Sequence, residues 1–221
     1  MGSEMCIRDS IYPIYDDVLQ LMTETRTAYT PTLLVAYGGP WGENYFYATE
    51  DVQGDQKLNY FTPKSELDAK SRRRPGWFME EEHIFSRHAE FAKTLTEKNG
   101  IVGVGSHGQL QGLGYHWELW AVQSGGMSNH DALKVATLSG AEAIGLQEDL
   151  GSLESGKLAD LVILDKNPLE NIRHSNSIRY VMKNGRLYQG DNLDEVYPRQ
   201  KKAPDFYWHG GAPIGVPGMA R

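Results

Sequence analysis

The sequence predicts an α/β fold that gives way to a small β region, and three observations predict it. Helical periods alternate with short apolar runs ending in glycine, at 12–25 before 30–36 and at 80–99 before 101–105. A further helical period covers 129–144, where the alternation stops. Beyond Leu146 the pattern becomes turn and strand, with strands near 160–165 and 177–188 and the hairpin signal Asn184-Gly185 between their last two runs.

In chain order, Tyr15, Val18, Leu19 and Met22 share one helical face. The run Tyr29 to Tyr37 is β-rich and ends in Gly38-Gly39-Pro40, so it is read as a strand. Residues 41–76 carry no sustained period but hold Trp41, Tyr45, Phe46, Tyr47, Tyr60 and Phe61. They are read as a long insertion, either packed or forming a wall over a site. Ile84, Phe85, His88, Phe91, Ala92 and Leu95 form the next helical stripe, with Lys98 and Gly100 closing it. Ile101-Val102-Gly103-Val104-Gly105 reads as a short buried strand. Ser106-His107-Gly108 then opens a glycine-rich loop that reaches Gly114. A short helix is expected over Tyr115 to Ser124, and Ser128 with Asp131 starts the next one, stopped by Gly145.

Composition narrows the classes. A net charge of −7 gives no bulk attraction to nucleic acid or an anionic membrane. The basic run Lys70, Arg72, Arg73, Arg74 lies beside Pro75-Gly76 and reads as a solvated loop. Cys6 is the sole cysteine, so neither an internal disulfide nor a cysteine metal cluster can form. No stretch is apolar for long enough to span a membrane. Residues 1–10 have no apolar core of a signal peptide and begin no periodic element, so they are set aside as a non-native or artefactual leader. The sequence names no compartment.

Two blocks carry a family resemblance. The first is Ala141 to Ile172, with Gly151-Ser152-Leu153, Gly156-Lys157 and Ala159-Asp160-Leu161-Val162 at fixed spacing. The second is Val102 to Ser106 followed by His116-Trp117-Glu118-Leu119 and Leu133 to Ala143. Together they resemble the amidohydrolase superfamily, in particular its imidazolonepropionase-like branch. The resemblance implies a metal-dependent hydrolase of carbon–nitrogen bonds other than ordinary peptide bonds, acting on a cyclic amide, an amide or a small dipeptide. It implies a (β/α)₈ TIM-like barrel holding zinc or another divalent metal, with a metal-activated water as the attacking group. The usual ligands are a His-x-His pair on the first strand, a Lys or Glu on the fourth and histidines on the fifth and sixth. An Asp ends the eighth strand as base.

By that register Tyr29 to Val35 is strand seven and Ile101 to Gly105 is strand eight, and no His-x-His occurs among the seven histidines. The expected organisation is therefore the C-terminal part of such a barrel at 11–145 with an insertion at 41–76, a β-sandwich segment at 146–190 and an extended tail at 191–221. A chain of this extent is expected to be inactive and metal-free by itself. The resemblance also implies a β-propeller module on the same parent chain. The partner expected for the site is a small molecule.

His107 stands where the family keeps its aspartate. An imidazole at the C-terminal end of a barrel strand can accept a proton or ligate a metal, so His107 is the candidate base and, in the other role, a candidate metal ligand. His116 and Tyr37 are candidate substrate contacts at the same mouth. His83 and His88, five apart, lack the spacing of a helical metal pair and read as structural. Asp160 and Asp165 read as turn and strand-end residues. The exchange of carboxylate for imidazole also supports a rival reading: a non-catalytic barrel relative serving as a binding or interaction module.

Overall fold

The structure, a computed structural model, describes residues 15–35, 40–71, 78–107 and 110–210. Helix α1 spans Asp16–Glu24, buries Leu19 and Met22, and places Asp16 and Asp17 at its electropositive first turn. Arg26 takes a left-handed turn (φ 52°), and the chain straightens into Tyr29. There it pairs in parallel with the later apolar run. Tyr29 N donates to Ile101 O (2.9 Å), Gly103 N to Tyr29 O (3.0 Å) and Gly105 N to Pro31 O (3.0 Å). The pairing is parallel, as expected, but it amounts to an isolated bridge between Tyr29 and Val102 rather than the strand expected over 101–105.

The strand expected over 30–36 is not formed. Leu33–Val35 is a 3-10 turn, because the buried Glu118 carboxylate takes the backbone N–H groups of Leu33 and Leu34. A carboxylate arriving from elsewhere in the fold thus satisfies two donors that a longer ladder would have used.

The insertion is helical where no period was evident: α2 (Gly42–Thr49), α3 (Gln56–Phe61) and α4 (Lys64–Ser71). None has more than eight residues, little over two turns, which leaves scant room for an apolar stripe to repeat. Asp55 caps α3 by accepting from Leu58 N at 2.8 Å. Phe46, Tyr47, Val52, Leu58 and Leu67 are buried, so the packed reading of the insertion holds. Of its basic run, Lys70 ends α4, while Arg72 to Arg74 lie outside the described residues.

Helix α5 (Phe85–Glu97) presents Phe85, His88, Ala89, Phe91, Ala92 and Leu95 to the core. Helix α6 (Leu113–Gln123) buries residues on every side, including Trp117, Glu118, Trp120 and Val122, which makes it the central helix. Trp117 stacks on Phe46 (5.5 Å) and meets Tyr47 edge-on (5.1 Å), fastening the insertion to that centre.

The single helix expected over 129–144 is two: α7 (Asn129–Val135) and α8 (Leu138–Ala143). Thr137 breaks them at φ −128°, ψ −93°. Ser128 caps α7 through Asp131 N as expected, and Gly145 (φ 74°) ends α8.

Strands β1 (Leu161–Leu164), β2 (Ile178–Lys183), β3 (Arg186–Gln189) and β4 (Glu195–Tyr197) form one antiparallel sheet in sequence order. Asn184 (φ 50°) and Gly185 (φ 78°) both occupy the left-handed region, as a type I′ hairpin requires. Before the sheet, Lys157 Nζ donates to Gln147 O (2.6 Å) and Ser152 Oγ (2.6 Å). Gly151 sits at φ 91°, where an added Cβ would come within 2.7 Å of Leu138 Cα. The glycine–lysine spacing of this segment therefore serves close packing of the turn on α8. Beyond β4, Trp208 Nε1 donates to Tyr60 O (3.0 Å) and His209 Nε2 lies 2.9 Å from the same oxygen, strapping the late chain onto α3.

Candidate functional site

His107 follows the parallel run, two residues after the Gly105 hydrogen bond, and its side chain is exposed. It thus follows the extended run that pairs in parallel with Tyr29 and Pro31. Tyr37, the other residue expected to border that mouth, lies outside the described residues. Among the described residues, no three His, Cys, Asp or Glu side chains group closely enough to hold a metal. Those residues therefore do not by themselves fit a zinc site.

His116 is elsewhere. It sits half-buried in the first turns of α6 and lines a cavity of about 180 Å³ with Asp55, Lys57, Phe61, Gln111 and Asn176. His107 does not line it. An outer hollow of about 440 Å³ shares Asp55, Lys57 and Asn176 with the cavity. From α6, His116 turns toward the 3-10 segment Ile172–Asn176, where its Nδ1 lies 3.1 Å from Ser175 Oγ.

Burial pulls the His116 imidazole down to about 4; the nearby Lys57 ammonium adds to this and Asp55 opposes it. At neutral pH the ring is uncharged. Ser175 Oγ also accepts from Trp120 Nε1 (3.0 Å), so its own proton can point at His116 Nδ1 and leave Nε2 protonated. His83 and His88 are also lowered by burial, and both pack among core groups as structural histidines. Asp160 holds Lys183 and accepts from Asn184 N (2.6 Å), which bears out its reading as a turn residue.

Sequence reasoning did not find Lys57, Gln111 or Asn176. They come from three separate elements, and only the docking of α3 on α6 and the 3-10 segment brings them together. Nearby, Glu50, just after α2, pairs with Arg173, whose guanidinium lies 4.8 Å from the Trp120 ring.

Residues 81–188 match the amidohydrolase family. Over 87 residues the chain is 36% identical to the 5-methylthioadenosine/S-adenosylhomocysteine deaminase of Teredinibacter turnerae, covering 34% of this chain and 20% of that protein. It is 36% identical over 78 residues to the ochratoxinase of Aspergillus niger, covering 34% of this chain and 16% of the enzyme. A solved Xaa-Pro dipeptidase with methionine in its active site superposes with a TM-score of 0.51 at 26% identity, over 80% of this chain and 38% of that one. The chain thus spans a fifth or less of these two curated relatives.

Proposed function

Because the chain belongs to the amidohydrolase superfamily, we propose that it is the barrel-closing part of a hydrolase acting on carbon–nitrogen bonds other than ordinary peptide bonds. Cyclic amides, amides and small dipeptides are its substrate classes. The observation that supports this reading is the parallel pairing of Tyr29 and Pro31 with 101–105, which is followed directly by an exposed His107. The named relatives support the bond class: two hydrolyse or deaminate small molecules by their names, and the third is a dipeptidase.

His107 acts as the proton acceptor for the attacking water, and donates to the leaving nitrogen once it has been protonated. An imidazole can both accept and donate a proton, so one side chain can perform both steps. In its other role it would supply one nitrogen to a zinc or similar ion. The remaining ligands would then have to come from outside these 221 residues, since no His-x-His is present. His116 and Tyr37 remain the proposed substrate contacts. The domain reading also stands as a proposal: barrel end at 11–145, sandwich segment at 146–190, tail at 191–221.

Exposed Ile144, Leu153 and Val162 supply apolar surface for further barrel and sandwich layers to cover. The 221-residue chain without those layers is expected to turn over no substrate.

The test is His107→Ala and His107→Asp in the longer protein carrying a His-x-His pair, with metal content measured beside kcat. Loss of about 10²–10⁴-fold in kcat with metal retained identifies a proton-transfer group, and loss of metal identifies a ligand. If His107→Ala leaves both within about threefold, far below that range, the catalytic reading fails. The imidazole in the aspartate position would then favour the binding-module reading.

A further inference from the structure

We propose that the His116 cavity binds a small monocarboxylate with a branched apolar body, its carboxylate held by His116 Nε2, Lys57 Nζ and the Gln111 amide. The proposal deepens the reading of His116 as a small-molecule contact, and needs no hydrolysis to be true.

Three lining side chains carry uncommitted donors. His116 Nδ1 is engaged by Ser175 Oγ at 3.1 Å, and Ser175 Oγ already accepts from Trp120 Nε1 at 3.0 Å. Indole nitrogen can only donate, so the serine proton is free for Nδ1 and the imidazole presents Nε2–H as its remaining donor. Gln111 Oε1 accepts from Lys70 Nζ at 3.2 Å, which leaves the Gln111 amide nitrogen to donate. Lys57 Nζ donates to Ile178 O and pairs with Asp191 Oδ1 at 3.1 Å, and an ammonium has a third proton. Three elements thus bring donors to one cavity. The single lining carboxylate, Asp55, has Oδ1 committed to the α3 cap.

The rest of the wall is apolar: Leu58, Phe61, Leu113 and Ile178. A cavity of about 180 Å³ is the size of a small molecule. An acceptor-rich head on an apolar body of that size is a short branched carboxylate. Asp191 marks where the head goes. Its carboxylate, 81% exposed, already sits on Lys57 from the outer hollow, and a bound carboxylate would take over that contact.

The probe is isobutyrate, titrated into the full chain by calorimetry and by ligand-observed NMR, with isobutyramide as the uncharged isostere. Saturable 1:1 binding of isobutyrate is expected, with isobutyramide about tenfold weaker or more, as befits loss of a charged acceptor. Lys57→Met and His116→Phe should each weaken isobutyrate by a similar factor, with folding checked by circular dichroism. Asp191→Asn, an exposed change that leaves the cavity wall intact, should tighten it several-fold by releasing Lys57. No saturable binding to the folded chain overturns the proposal. So does equal affinity for the amide, or indifference to Asp191→Asn. Turnover by the longer protein is independent of all these readings, so failure here leaves the hydrolase reading standing, and the reverse holds too.

Discussion

The two histidines of the candidate site differ in almost every physical respect. His107 is exposed at the end of an extended run held by a few parallel hydrogen bonds. His116 is half-buried, fixed by Ser175 and ringed by groups from separate elements. The first kind of position is free to meet a substrate and contributes little to folding. The second is bound up with the packing that surrounds it, so chemistry there and stability cannot be varied separately. The same contrast separates Glu118, sealed in the core on two backbone donors, from the exposed residues of the strand end it shapes.

That contrast can be broken most readily at Glu118. Glu118→Leu leaves the N–H groups of Leu33 and Leu34 without their acceptor, at about 1–3 kcal/mol each. Urea unfolding should show a loss of about 2–6 kcal/mol, and a loss under about 1 kcal/mol would show that the carboxylate is not what shapes the turn.

The next largest effect is a pH dependence set by His116. Its folded-state value, about 4, lies below the ordinary 6.5, so between these limits the unfolded chain binds a proton that the folded chain refuses. Stability is therefore complete above about pH 6.5 and falls as pH drops toward 4. The span of about 2.5 pH units corresponds to about 3 kcal/mol. His83 and His88 act in the same direction, so the quantity to measure is the difference between wild type and His116→Gln across this window. Parallel stability curves for the two proteins would remove His116 from the account.

Ser128→Ala should cost about 1 kcal/mol by removing the α7 cap, because Ser128 Oγ accepts from Asp131 N at 3.1 Å. The smallest effect is expected at His107: His107→Ala should leave stability within about 0.5 kcal/mol, as exposed substitutions usually do. A melting shift equal to that of Ser128→Ala would mean that His107 is a packing residue, and would erase the distinction between the two histidines.

What the sequence made legible follows the range over which each signal acts. Helices α1 and α5 carry an apolar stripe that repeats, and the Asn184-Gly185 hairpin depends on two adjacent residues that tolerate positive φ. The capping of α7 is equally local. The three insertion helices escaped because none has room for a second repeat, although Asp55 three residues before Leu58 was a readable cap. The early end of the first extended run was not readable, since Glu118 reaches it from 85 positions away. The break at Thr137 likewise depends on the close stacking of Gly151 against Leu138 and Ala141. At the site, His107 was legible by its place after an apolar run. The partners of His116 were not, because Lys57, Gln111 and Ser175 meet only through tertiary docking.

The strap from Trp208 and His209 to the Tyr60 carbonyl places a time order on the chain as it is made. Tyr60 leaves the ribosome 148 residues ahead of Trp208, and at about 5–20 residues per second this is a lag of about 7–30 s. During that interval α3, which forms one wall of the His116 cavity, exists without the aromatic residues that later clasp it. The nascent chain can therefore assemble its central helix well before it can close its binding wall, and premature termination anywhere in the last sheet would yield a protein with a core but no finished cavity.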